Sequence, residues 1–106
     1  MSRELVGTLE SIAIGSAMKV VIDDIPIAVV RESNGDIHAL GDRCSHGDIS
    51  LSDGFVEDDT IECWAHGSKF GLNDGSPRNF PAFEPVPVYT VEIDGSDVYV
   101  DTTTRK

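Results

Sequence analysis

Basic residues are scarce: eight Lys and Arg stand against nineteen Asp and Glu among 106 residues, a formal charge of -11. Such a surface repels phosphate backbones and anionic lipid, which argues against nucleic acid as a ligand and favours a protein partner with a basic patch. Long apolar runs are missing as well. No stretch approaches the roughly 18 apolar residues that span a bilayer, and "MSRELVGTLE" lacks the basic and apolar regions of an export signal, so a cytoplasmic protein with no membrane association is expected. Repeats, low-complexity segments and Ser, Gly or Pro linkers are absent, and the length suits one domain over residues 1–106. No window of helical length carries an apolar stripe. Cysteine is limited to Cys44 and Cys63. In a reducing compartment two such residues more often serve as metal ligands, reactive thiols or buried hydrophobes than as a stable disulfide.

What is present is strand periodicity. "AMKVVID" and "IPIAVVRES" read as two strands around Asp23 and Asp24, and the second ends at Asn34-Gly35, a hairpin signal that makes "DIHALGD" the returning strand. Near the C-terminus "VPVYTVEI" and "DVYV" flank Asp94-Gly95-Ser96 with the alternation of a half-buried hairpin. "ELVGTLESI" adds a further strand. The fold expected is all-β. Residues 41–83 differ in texture: Gly41, Gly47, Gly54, Gly67, Gly71 and Gly75 recur, and Pro77 and Pro81 mark the exit, as loops shaped around an object require. Short strands are expected at "GFVED" and "TIECW", joined by an acidic turn at Asp58 and Asp59, which places both cysteine-bearing segments at one end of a hairpin.

Those segments form the pattern C-x-H, sixteen residues, C-x-x-H, through Cys44, His46, Cys63 and His66. In an extended segment residues i and i+2 face the same side about 6.6 Å apart, a spacing suited to two neighbouring metal atoms. Gly67 after the second pair allows a turn that brings Cys63 and His66 to a similar separation. A two-iron, two-sulfide cluster fits, with both cysteines on one iron and both histidines on the other. Replacing two thiolates by neutral imidazoles raises the potential. Three alternatives compete. Structural zinc takes two cysteines and two histidines, but its usual spacings pair like with like. A Cys44–Cys63 disulfide leaves both histidines unexplained, and a thiol hydrolase lacks an orienting third residue. His38 is read as a polar strand residue outside the ligand set.

In "CSHGDISLSDGFVEDDTIECWAHGSKF", "DGSPRNFPAFEPVPVY" and "VEIDGSDVYV" the chain resembles Rieske-type [2Fe-2S] ferredoxins over essentially its whole length, especially the ferredoxin components of bacterial aromatic-ring-hydroxylating dioxygenases. The resemblance implies an antiparallel β-sandwich or barrel base with a cluster-binding subdomain of two loops over about 41–83. It implies one Rieske cluster, with Cys44 and Cys63 on the inner iron and His46 and His66 on the outer, solvent-facing iron. Gly47, Gly67 and Ser68 take positions from which backbone amides donate to the sulfurs, and "NFPAF" around Pro81 matches the shielding loop. Trp64 stands where many relatives have proline, and Trp64 and Phe70 are expected to pack around the cluster. Ser68 matches a serine that bonds to cluster sulfur in quinol-oxidising relatives, whereas Phe70 replaces their donating tyrosine. A potential in the lower part of the range of roughly -150 to +300 mV is therefore expected. The extra cysteine pair of those relatives is missing.

The function implied is that of a soluble, monomeric one-electron carrier, not an enzyme in itself. It takes electrons from a flavin-dependent ferredoxin reductase and gives them to a terminal ring-hydroxylating oxygenase. Alternatives are an electron donor in iron-sulfur assembly or another reductase system, and a small Rieske-like subunit resident in an enzyme complex. Asp48, Asp53, Glu57, Asp58, Asp59 and Glu62 are expected to steer basic partners.

Overall fold

In a computed structural model, residues 3–43, 49–64, 67–78 and 84–105 are described. Cys44, His46, Gly47, Asp48, His66 and Pro81 lie outside them. The described chain is built from strands and short 3-10 turns: β1 (Arg3–Thr8), β2 (Ser16–Ile22), β3 (Ile25–Arg31), β4 (Ile37–Gly41), β5 (Phe55–Glu57), β6 (Thr60–Glu62), β7 (Lys69–Gly71), β8 (Val88–Asp94) and β9 (Asp97–Arg105), with 3-10 turns at Leu9–Ser11 and Leu51–Asp53.

Six strands form one antiparallel sheet in the order β1-β9-β8-β4-β3-β2, and β5-β6-β7 form a second, smaller one. The expected hairpins are present. Ile22 pairs with Ile25, which leaves Asp23 and Asp24 as a two-residue turn with φ of 51° and 65°. Positive φ at both central residues matches the twist of the flanking strands, and Asp tolerates that conformation better than β-branched residues do. Asn34-Gly35 lies within the β3–β4 turn, where the Glu32 amide donates to the Asp36 carbonyl at 2.8 Å. The run "IAVV" departs from simple alternation because Ile27, Ala28, Val29 and Val30 are all fully buried. A strand covered on both faces needs an unbroken apolar run.

The two faces lead to different cores. Ile27, Val29, Ala39, Tyr89, Val98 and Val100 point into the interior of the curled sheet with Ile12 and Ile22. Ala28, Val30, Leu40 and Val88 point the other way, onto Leu51, Ile61, Phe70 and Leu72 of the small sheet and its approach. Burial of each large side chain there contributes roughly 1.5–3 kcal/mol. The partly buried Arg31 guanidinium fastens the Leu9–Ser11 turn to β3, its Nη1 donating to the carbonyls of Leu9 at 2.7 Å and Ile12 at 3.1 Å. Sequence periodicity missed β7. Its three residues are too few to show a period, and only pairing with β6 defines it as a strand.

Candidate metal centre

The small sheet presents Cys63. Ile61 of β6 faces Phe70 of β7 across the pair, and both are completely buried. Cys63 follows directly and is also fully buried, in the same apolar cluster. Beyond it the chain turns back. The Cys63 amide donates to the Ser68 carbonyl at 2.7 Å, and the Gly67 amide donates to the Cys63 carbonyl at 2.9 Å. Gly67 has φ of +70° with open space around a would-be Cβ, so glycine serves backbone conformation there and not clearance.

The first arm arrives at the same end. Arg43 and Ser50 form an antiparallel bridge across residues 44–48, and the Leu51 amide donates to the Asp42 carbonyl at 2.5 Å. Asp42 is 1% exposed, and its Oδ1 accepts the Ser52 amide at 2.9 Å. The Lys19 ammonium is 4.0 Å from its Oδ2. A buried carboxylate with a charge partner and a backbone donor thus joins the two stems of that arm. Nothing local in the sequence marks Asp42, since a lone Asp before a loop carries no periodic signal. Gly54 then packs against the end of β6 so closely that a Cβ would collide with the Glu62 carbonyl oxygen. A third segment joins them. Pro77 bridges Phe70, and the Arg78 amide donates to the Lys69 carbonyl at 2.7 Å, which places Arg78 at the end of β7 that pairs with Glu62.

Of the residues singled out by sequence, Cys63, Gly67, Ser68 and Phe70 come together here. Ser68 and Phe70 are fully buried. Trp64 is 53% exposed. The turn that buries Cys63 sends the next side chain outward. The acidic surface is also partly compensated, since Lys69 Nζ lies 3.3 Å from Glu57 and 3.9 Å from Glu62, and Arg78 lies 3.4 Å from Asp59. Asp53 and Asp58 are exposed.

A soft thiol donor held in an apolar wall, with three segments gathered at its end, suits a metal-sulfur group. The chain matches the Rieske [2Fe-2S] domain over residues 3–90. It belongs to the Rieske family. The 3-phenylpropionate/cinnamic acid dioxygenase ferredoxin subunit of Shigella boydii serotype 4 (strain Sb227) is 40% identical over 88 residues, which cover 82% of this chain and 81% of that one. The ferredoxin of carbazole 1,9a-dioxygenase from Nocardioides aromaticivorans IC177 superposes with a TM-score of 0.89 at 28% identity, over 94% of this chain and 97% of that one. A chain from a complex of reduced oxygenase and oxidized ferredoxin in carbazole 1,9a-dioxygenase superposes with a TM-score of 0.87 at 33% identity, over 92% of this chain and all of that one. The all-β Rieske architecture expected from sequence is therefore the architecture found. Among the described residues no helix is long and apolar enough to cross a membrane.

Proposed function

We propose that this Rieske protein is a one-electron carrier that passes electrons from a flavin-dependent ferredoxin reductase to a terminal ring-hydroxylating oxygenase, through one cluster ligated by Cys44, His46, Cys63 and His66. The observation that carries this reading is the burial of Cys63 at a tight turn in the apolar cluster that also holds Leu51 and Phe70, with the Arg43–Ser50 bridge and Arg78 flanking it. The cluster supplies the redox change, and the protein supplies its ligands and surroundings. Cys63 offers a thiolate from a dry wall, and the Cys63–Ser68 turn fixes where that sulfur sits. Asp42 ties together the described residues on either side of residues 44–48. Gly47 and Ser68 donate to the sulfurs, whereas the Gly67 amide is taken by the Cys63 carbonyl and closes the turn instead, and Pro81 lies in the shielding segment. On this reading residues 1–106 are one domain with the cluster held by about residues 41–83, and the protein is cytoplasmic and monomeric.

The 3-phenylpropionate and carbazole systems named in the relatives support an aromatic dioxygenase as the destination of the electrons. Exposed Trp64, beside buried Cys63, and exposed Phe55, opposite Glu62 in the small sheet, give a partner an apolar foothold at that end. Exposed Asp53 and Asp58 favour a basic rim around it. Rapid-mixing kinetics test the function. Reduction by a flavin-dependent reductase and reoxidation by an aromatic dioxygenase are expected to be second order and to slow as salt rises. A carrier that is reduced but passes no electrons to any such oxygenase contradicts the proposal and favours the iron-sulfur assembly role.

A further inference from the structure

The end of the large sheet away from Cys63 holds a second group of donors. Glu32 and His38 share one face of β3 and β4 with the buried Val30 and Leu40, because Val30 pairs directly with His38. His38 is only 5% exposed, and its Nε2 lies 2.8 Å from Glu32 Oε1, whose side chain is 13% exposed. Asp36 completes the group from the turn. One ligand atom from each of Glu32, Asp36 and His38 falls within 4.8 Å of the other two.

The turn fixes Asp36 in place. Its amide donates to Asn34 Oδ1 at 2.9 Å, its Oδ2 accepts Asn34 Nδ2 at 3.2 Å, and its carbonyl accepts the Glu32 amide. The neighbouring cation, Arg31, donates to the carbonyls of Gly35, Leu9 and Ile12. Among the described residues no cation pairs with the Asp36 carboxylate. The His38–Glu32 contact alone accounts for two of the three groups. It leaves the Asp36 carboxylate, within 4.8 Å of both, without a counter-charge among the described residues.

We propose that Glu32, Asp36 and His38 form a peripheral binding site for a first-row divalent cation of the zinc class. One imidazole nitrogen and two carboxylate oxygens are borderline-to-hard donors that suit such an ion, and the exposed Asp36 side leaves room for water ligands. Tetrahedral donors around zinc stand about 3.3 Å apart, so small side-chain rotations bring the three into ligand range. The site is distinct from the cluster. His38 and Arg43 are five residues apart along β4 and its exit, roughly 17 Å. A cation there ties the β3–β4 turn to both strands and stabilises the fold by binding only the native state.

Zinc titrated into the cluster-loaded protein tests this, read by calorimetry together with the visible spectrum of the cluster. The expected result is binding of one equivalent with an unchanged spectrum and a raised thermal midpoint. Asp36→Asn, at an exposed turn position, and His38→Gln should each weaken binding tenfold or more while circular dichroism stays native. Binding of equal strength in Asp36→Asn, or no saturable binding to the parent protein, overturns the proposal. So does zinc uptake that bleaches the cluster, since that places the ion at Cys44, His46, Cys63 or His66.

Discussion

The large sheet and the small sheet solve different problems. In the large one, β2 and β3 pair through seven consecutive residues without a shift, and apolar side chains fill both faces of β3. In the small one each strand has three residues. Its order depends on contacts that skip along the chain: Ile61 against Phe70, Gly54 against Glu62, Asp42 against Ser52. Regular pairing makes a base that tolerates local change. Irregular contacts make a site whose shape depends on individual residues.

Substitutions that damage one region and not the other test this contrast. Phe70→Ala removes the largest buried side chain beside Cys63 and is expected to cost about 3–5 kcal/mol, comparable with the lower end of domain stability. Urea unfolding and visible absorbance should fail together. Ile27→Ala in the base is expected to cost about 2–5 kcal/mol while leaving the cluster spectrum of the folded fraction unchanged. A spectrum altered by Ile27→Ala as much as by Phe70→Ala would erase the distinction between the two regions.

Smaller effects sharpen it. Asp42→Ala removes the acceptor of the part-buried Ser52 amide and is expected to cost about 1–3 kcal/mol, with faster loss of iron and sulfide measured by chelator challenge. Asp42→Asn keeps an acceptor and should lose less. Ser68→Ala is expected to lower the midpoint potential by about 60 mV, the equivalent of one hydrogen bond of about 1.4 kcal/mol to a charged group, at no comparable loss of stability. Protein-film voltammetry reads that shift directly, and an unchanged potential removes the Ser68 hydroxyl from the sulfur donors. Asp74→Asn should give the smallest effect. The Ser76 amide, and after it the Ser76 hydroxyl, hold the Asp74 carboxyl below its ordinary value of 3.8. A lowered carboxyl contributes stability above its unfolded value and loses it as pH falls through the folded one. The substitution should therefore lower stability slightly from about pH 4 up to neutrality, with the difference from the parent protein vanishing in more acidic solution.

The same contrast explains what was legible in the sequence. Alternation and turn residues marked the hairpins at Asp23-Asp24, Asn34-Gly35 and Asp94-Gly95, because in long pairs each residue's face follows from its position. The Cys and His spacing pointed to a cluster because ligand chemistry restricts residue type, and of the four ligands expected only Cys63 is among the described residues. β7 and the part played by Asp42 were not, since both arise from contacts between segments distant in sequence. Nor was the exposure of Trp64, which the turn after Cys63 decides. His38 read as an ordinary polar strand residue, yet pairing with Val30 buries it beside Glu32. No local pattern announces such a meeting across a hairpin.

The central claim is a cluster shared by two cysteines and two histidines. Electron paramagnetic resonance of the dithionite-reduced protein tests it most directly. A mixed-ligand two-iron signal is expected, lost when His46 or His66 is replaced. A silent sample containing zinc, or an unchanged signal in both histidine variants, would contradict it.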